Sequence, residues 1–295
     1  ETDQDGLHGW GEATLEWKTA GVVGSVEDVS RLVIGEDPRR IEHLYQIMTR
    51  QYFWRAGIEG MSAISGIEQA LWDIKGKALG VPVYELLGGR VRDRVRLYKH
   101  LGGGQMNVMY ESTETQQFAE NALAIKEAGY TAIKFMAVPR TEPVEGTQQV
   151  KQAARYVEAI RTAVGDDMDL MVDLHGRTYP AMGIEYCHDL EPYGLLFFEE
   201  PCSTEDIDAT LEVTRKSRIP IATGERLVGK YQFRDLISRR ACHIIQPDLS
   251  HCGGLWEARK IAAMAEAHQI AVAPHNPNGP IATAATVHFA AATPN

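Results

Sequence analysis

No run of about eighteen apolar residues occurs in the 295-residue chain, so no segment is expected to span a membrane as a helix. Nothing reads as a secretory signal peptide. Basic charge is short as well: thirty Lys and Arg stand against forty Asp and Glu, a net charge of -10. Nucleic acids and anionic lipid surfaces are held through a basic footprint, which argues against both as the main partner. Cysteine is sparse and scattered. Cys187, Cys202, Cys242 and Cys252 form no C-x-x-C pair, so a zinc ribbon and a dithiol redox motif lack support and a reducing cytoplasm is the expected compartment. No G-x-G-x-x-G follows the first strand-like segment, which leaves the dinucleotide-binding form of an open α/β sheet unsupported.

What is present is ordinary for a globular protein: 44% apolar and 24% charged residues, in a length that suits one large domain or two smaller ones. The chain starts at Glu1 without a Met and stops at Asn295 in an apolar, helix-like stretch, so truncation at both ends is expected.

Residues 1–92 read as a small α+β domain. LHGWGEA, at 7–13, resembles the end of a glycine-punctuated strand. Pro38 opens a helical pattern running to about Phe53, proline being tolerated where its missing N–H has no partner to lose. Ser62–Leu79 forms a second helix, with Ile64, Ile67, Leu71, Ile74 and Ala78 at helical spacing and Gly80 as its stop. From about 93 the rhythm changes. Strand candidates at 95–98, 132–135, 170–173, 195–198, 219–222, 243–246 and 271–273 alternate with helical patterns such as Ala153–Val164 and Leu255–Ala267. Alternating βα units imply a parallel sheet with helices outside. Seven strands are visible, and an eighth is expected past Asn295. The expected fold is therefore α/β, a TIM-type barrel over 93–295 missing its end, with a doubly wound open sheet as the alternative.

Taken one at a time, the polar residues at the strand ends say little. Asp173 in VDLHGR suits a turn or cap, the Glu199-Glu200-Pro201 segment a solvated loop, and Glu225 in ATGERL a surface position. Their spacing changes the weighing. Asp173 to Glu199 is 26 residues, and Glu199 to Glu225 is 26 again. One strand–helix unit of a barrel is about that long, so the three carboxylates fall at equivalent places on consecutive strands, at the C-terminal face where barrel enzymes work. Three anions on neighbouring strands repel one another unless a cation joins them. All-oxygen donors without Cys or His suit a hard divalent ion, most simply one Mg²⁺. Glu199 is the better ligand than Glu200, since strand alternation sends Glu200 to the other face.

Asp248 follows Glu225 by 23 residues and His275 follows Asp248 by 27, so both should end the next two strands. An Asp beside a His orients the imidazole and raises its basicity, the arrangement of a general base. His175 lies two residues past Asp173 and shares its face. Lys134 ends the second strand and points to the same mouth, or else is a solvated strand-end lysine. His251 reads as a turn contact, and His8, His43, His188, His243, His268 and His288 as structural. A cation, a His–Asp pair on one side and a second His opposite are equipment for removing a proton next to a carboxylate and protonating what leaves.

At this point the residues resemble the enolase superfamily and, within it, the mandelate racemase subgroup. GWGEA, MSAISGIEQALWDIKGKALGVPVYELLGG, VDLHGR, FFEEP, ATGERL, IIQPDLSHCGG and APHNPNGPIA stand in the order that subgroup has, over nearly the whole chain. The acid-sugar dehydratases of the galactonate dehydratase type are the most similar members. The resemblance implies an N-terminal α+β cap over a (β/α)₇β barrel. It implies Asp173, Glu199 and Glu225 as Mg²⁺ ligands, His275 with Asp248 as the base at C2, and His175 as the acid for the departing 3-hydroxyl. The product would be a 2-keto-3-deoxy acid. Trp54 and Arg55, in a cap loop, would contact distal hydroxyls along with Lys134, with packing inside the cap as the alternative for the loop pair. A cytoplasmic homo-oligomer acting on a small sugar acid is implied. Two departures stand out. The subgroup's racemases carry Lys-x-Lys after the second strand, where this chain has Lys134-Phe135-Met136, which favours dehydration. The stretch 138–146, VPRTEPVEG, reads as an insertion near the mouth and counts against galactonate itself. The remaining readings are a racemase or epimerase of a 2-hydroxy acid and a non-catalytic scaffold.

Overall fold

The structure is a computed structural model that describes residues 1–50, 53–102, 114–138 and 141–295. The described residues contain seven strands in one sheet, ordered β1 to β7 along the chain. They are β1 (Lys99–His100), β2 (Ala132–Phe135), β3 (Asp169–Asp173), β4 (Leu195–Glu199), β5 (Ile221–Thr223), β6 (Ile244–Ile245) and β7 (Ala271–Val272). Helices fill the intervals: α1 (Thr19–Ser30), α2 (Ile41–Arg50), α3 (Ile58–Leu79) and α4 (Val83–Leu86) precede the sheet. Then come α5 (Thr115–Glu127), α6 (Thr147–Val164), α7 (Pro180–Leu190), α8 (Ile207–Lys216), α9 (Gly229–Ser238), α10 (Leu255–Ala267) and α11 (Pro280–Ala292). This is the (β/α) order of a TIM-type barrel with an N-terminal cap.

The chain forms two compact units. One holds Arg96–Thr223 and Arg239–Ile244. Its strands β1 to β5 pair in parallel, with Asp173 opposite Glu199 in the β3–β4 register and Glu199 opposite Ala222 in the next. Ile133, Phe135, Leu170, Met171, Val172, Phe198 and Ile221 are buried. Such continuous apolar runs are what a sheet covered on both faces requires. On α6, Val150, Ala153, Val157, Ile160 and Val164 form the buried stripe, a helical period that turns one face of the helix inward.

The other unit holds Glu1–Val95, Gly224–Ser238 and Ile245–Asn295. Its central element is α3, which is buried over most of its surface. Ser62, Ser65, Glu68 and Gln69 are buried there among Met61, Ile64, Leu71 and Trp72. Glu68 spends its carboxylate on the start of α10, accepting from Leu255 N at 2.8 Å and Trp256 N at 2.9 Å, and from Trp72 Nε1 at 2.6 Å. At the far end of the unit Val272 N donates to Asn295 O at 2.9 Å, beside β7.

Several sequence expectations shift. The segment 7–13 forms no strand; it lies against α3, where a Cβ on Gly9 would come within 2.0 Å of Ala70 O and one on Gly11 within 1.8 Å of Gly66 O. Its glycines serve backbone-to-backbone contact, not a turn. The helix expected from Pro38 starts at Ile41, because Asp37–Arg40 closes a turn first, with Arg40 N donating to Asp37 O. Residues 51 and 52 of that expected helix lie outside the described residues. The first strand is two residues, at 99–100 rather than 95–98. Arg96 is drawn instead to Thr131 and Asp169, with Nη1 2.6 Å from the Asp169 carboxylate. In the stretch 138–146, residues 139 and 140 lie outside the described residues, and Val138 O accepts from Arg177 at 2.7 Å.

Candidate active site

β3 and β4 run parallel and in register, so their last residues are neighbours. Asp173 and Glu199 are therefore side by side, and both are fully buried. Lys134, from the next strand over, reaches between them, with Nζ 3.0 Å from Asp173 Oδ2 and 2.7 Å from Glu199 Oε1. The Lys134 side chain is itself almost wholly buried, with its ammonium over the Tyr98 ring at 5.6 Å. Its charge is committed to the two carboxylates.

Past the strand ends the backbone bends sharply. His175 and Glu200 both take left-handed φ values, 50° and 41°, a conformation that costs energy for a side-chain-bearing residue and recurs where a site re-aims its groups. At His175 the bend folds the residue back over Asp173: its N–H donates to Oδ1 at 2.9 Å, and Nε2 lies 3.2 Å from Oδ2. Burial resists ionisation of Asp173, but Lys134 and the two His175 contacts outweigh it and hold the carboxyl well below the usual range.

The other unit carries the candidate base. Glu225 follows β5 by two residues, after Gly224 at φ 134°, where a Cβ would meet Phe233 and Gln246 N. Asp248 is buried beyond β6, and His275 lies beyond β7. His275 Nδ1 is 2.8 Å from Asp248 Oδ2, and Nε2 is 3.2 Å from Glu225 Oε2. A carboxylate only accepts, so Nδ1 carries a proton toward Asp248, and Nε2 is the nitrogen through which the ring can trade a proton at the site.

The sequence reading missed a residue here. Asn278 donates to both Asp248 oxygens, at 3.2 and 3.0 Å, and Ser250 N adds a third donor at 2.7 Å. The only sequence signal is its nearness to His275 in HNPNGP. His251, read as a turn contact, is buried, with Nδ1 2.9 Å from Ser62 Oγ and Nε2 3.8 Å from Asp248 Oδ2.

Asp173 and Glu199 offer carboxylate oxygens side by side at the ends of β3 and β4. Hard, charged oxygen donors of this kind fit a divalent cation and suit no soft metal. The cap-loop pair is differently placed. The Trp54 side chain is 82% exposed, touching Phe53 edge-on, and Arg55 donates to Thr49 O at 3.1 Å.

Comparison with known proteins gives the family. Residues 1–88 match the family model of the mandelate racemase / muconate lactonizing enzyme N-terminal domain, and residues 117–295 match that of the enolase C-terminal domain-like fold. The chain belongs to the mandelate racemase subgroup of the enolase superfamily. Among curated members, the D-galactonate dehydratase of Verminephrobacter eiseniae is 42% identical over 288 residues, 98% of this chain and 73% of that protein. The D-galactonate dehydratase of Pectobacterium atrosepticum is 41% identical over 289 residues, with the same coverage of 98% and 73%. Among solved structures, a Mesorhizobium loti protein provisionally assigned as a dehydratase superposes with a TM-score of 0.92 at 38% identity, covering 100% of this chain and 79% of that one. A provisionally assigned galactarate dehydratase of Agrobacterium radiobacter, holding sodium and L-malate, gives 0.91 at 36% identity, covering 100% and 73%. The curated relatives are dehydratases by name, hydro-lyases of the enolase superfamily, and this chain is an enzyme of that superfamily. None of the helices in the described residues is long and apolar enough to cross a membrane.

Proposed function

We propose that this enzyme dehydrates a sugar acid, an aldonate such as galactonate or an aldarate, to a 2-keto-3-deoxy acid. The observation that carries the reading is the His275–Asp248 pair, whose hydrogen bond orients the ring through Nδ1 and makes Nε2 the nitrogen to exchange the proton next to the substrate carboxylate. Asp173, Glu199 and Glu225 would hold one Mg²⁺. When bound, that ion supplies positive charge to the substrate carboxylate as negative charge builds on it. His275 Nε2 takes the C2 proton, and Asp248 steadies the imidazolium that results. His175 gives a proton to the departing 3-hydroxyl, so water leaves and the enol becomes the 2-keto acid. Lys134 balances Asp173 and Glu199 and, with Trp54 and Arg55, is the proposed contact set for the substrate. We take 1–92 as the cap and 93–295 as the barrel, a division supported by the two family models, and the enzyme as a cytoplasmic homo-oligomer.

The names of the curated relatives support the substrate class, and the L-malate held by the Agrobacterium protein, itself a 2-hydroxy carboxylate, supports a site for that group. Racemisation is less well supported, since Met136 stands where a second lysine base would be needed.

The test is a panel of aldonic and aldaric acids with Mg²⁺, read as 2-keto product by semicarbazide, on the parent and two variants. In deuterated solvent, His275→Asn should stop both C2 exchange and water loss. His175→Asn should lower dehydration by roughly 10²–10⁴-fold, the usual worth of a general acid, while exchange continues. Full dehydration in His175→Asn combined with its loss in Lys134→Ala would assign the acid role to Lys134 instead. No turnover of any sugar acid would overturn the reading.

A further inference from the structure

His275 and Asp248 come from different loops, one after β7 and one after β6. Their 2.8 Å contact therefore depends on how firmly those two loops are held against each other. A closed ring of hydrogen bonds does this, and it runs through the N-terminal segment. From Asp248 the ring passes to Asn278, whose Nδ2 donates at 3.0 Å. The next residue, Gly279, donates its N–H to Glu12 Oε1 at 2.6 Å, and Ala282 N donates to Glu12 Oε2 at 3.0 Å. Glu12 N donates to Gln69 Oε1 at 3.0 Å. Gln69 Nε2 donates to Leu249 O at 3.1 Å, and Leu249 adjoins Asp248.

Each step in the ring is specific. Gln69 is buried, so leaving its amide unpaired costs free energy, and its donor and acceptor are committed in opposite directions. The Glu12 carboxylate caps the first turn of α11, where exposed N–H groups and the helix dipole favour an anion. It also fills the space a side chain would need at Gly279, since a Cβ there would lie 2.7 Å from Oε1. The ring grips the β7 loop one residue past Asn278 and the β6 loop one residue past Asp248.

We propose that Glu12 and Gln69 are positioning residues for the His275–Asp248 base, acting through Gly279–Asn278 and Leu249 respectively. The proposal rests on the reading of His275 as the base. Neither residue touches the reacting atoms. Their work is to keep two loops in register so that the imidazole holds one orientation. A misplacement on the order of 1 Å in a catalytic group is enough to cost about 10²-fold in rate.

The test uses Glu12→Ala, Gln69→Ala and Glu12→Gln in the whole enzyme. With a sugar acid that the parent turns over, both alanine variants should lose kcat by about 10- to 100-fold, with KM and Mg²⁺ affinity within a few-fold of the parent. Glu12→Gln, which keeps one acceptor oxygen, should recover part of the loss. In an Asp248→Asn background, Glu12→Ala should cost almost nothing more, because the path it works through is already broken. Additive losses, or folded alanine variants with kcat within twofold of the parent, would overturn the proposal. A second readout needs no turnover. In histidine-labelled enzyme, the low-field Nδ1 proton of His275, identified by its loss in His275→Asn, should move upfield in Glu12→Ala and less so in Glu12→Gln. If the alanine variants do not fold, Glu12→Gln carries the decision: an unmoved proton signal in that variant overturns the proposal. Absence of turnover in the parent, with the signal still moving, would remove the substrate assignment and leave the positioning role standing.

Discussion

Lys134, Asp173 and Glu199 form a buried ion triad, one ammonium against two carboxylates. Burying charge is costly unless each ion is matched, and here two carboxylates share one ammonium beside His175. The proposed Mg²⁺ would add positive charge to that group. Glu199→Gln should lower Mg²⁺ affinity strongly and Glu200→Gln much less, as measured by titration calorimetry. Equal affinity in Glu199→Gln and the parent would exclude Glu199 as a ligand. A second buried carboxyl obeys a different balance. Burial pushes Glu68 up to about 7, against the opposing pull of the Trp256 and Leu255 amides, Trp72 and Lys260. The folded protein then binds the Glu68 proton more tightly than the unfolded chain does, so stability contributed by this group falls as pH rises from about 4.5 toward about 7. The loss should be about 3 kcal/mol, the free-energy equivalent of a shift of that size. Urea unfolding across that window should show a flatter curve for Glu68→Gln than for the parent. Parallel curves would mean that Glu68 is not the group responsible.

At the scale of elements, α3 decides how the N-terminal segment lies. Its two approaching glycines are set by contact distance, not by turn geometry. Gly11→Ala should destabilise the protein by about 1–3 kcal/mol, the range for forcing atoms into a packed interface. Gly24, in the exposed middle of α1, has nothing within 4 Å of a Cβ and no such constraint. Gly24→Ala should stabilise by about 0.5–1 kcal/mol through helix propensity alone. Urea midpoints for the two variants should therefore move in opposite directions, and a shared direction would contradict the contact geometry.

Across the molecule, the four cysteines are free, buried and dispersed over both compact units. Burial pushes the thiols of Cys187, Cys202 and Cys242 up to about 12, and that of Cys252 well above its ordinary value. The thiolate is the reactive form, so such thiols are inert at neutral pH. A chromogenic disulfide reagent should count none in the folded enzyme and four in denaturant. Fast reaction of even one thiol in the folded state would show that its unit opens readily.

The order of elements and the ends of β2, β3 and β4 were legible along the chain, because apolar runs of strand length alternate with helical periods and the pattern is local. So was the choice of Asp173, Glu199 and Glu225, since one strand–helix unit has nearly constant length and returns a residue to the same end of the next strand. Asp248 and His275 follow from the same count. What the count cannot reach is contact between residues far apart in sequence. The extended segment 7–13 has strand-like composition, and only the folded structure shows that it lies on α3 and pairs with no strand among the described residues. Asn278, Gln69 and Glu12 look like ordinary polar residues; their roles come from bonds to partners 30 to 267 positions away. Periodicity records which side of an element faces inward, so it points to the candidate site. Hydrogen-bond partnership depends on distances that exist only after folding, so the bonds around the His275–Asp248 pair were decided by tertiary structure.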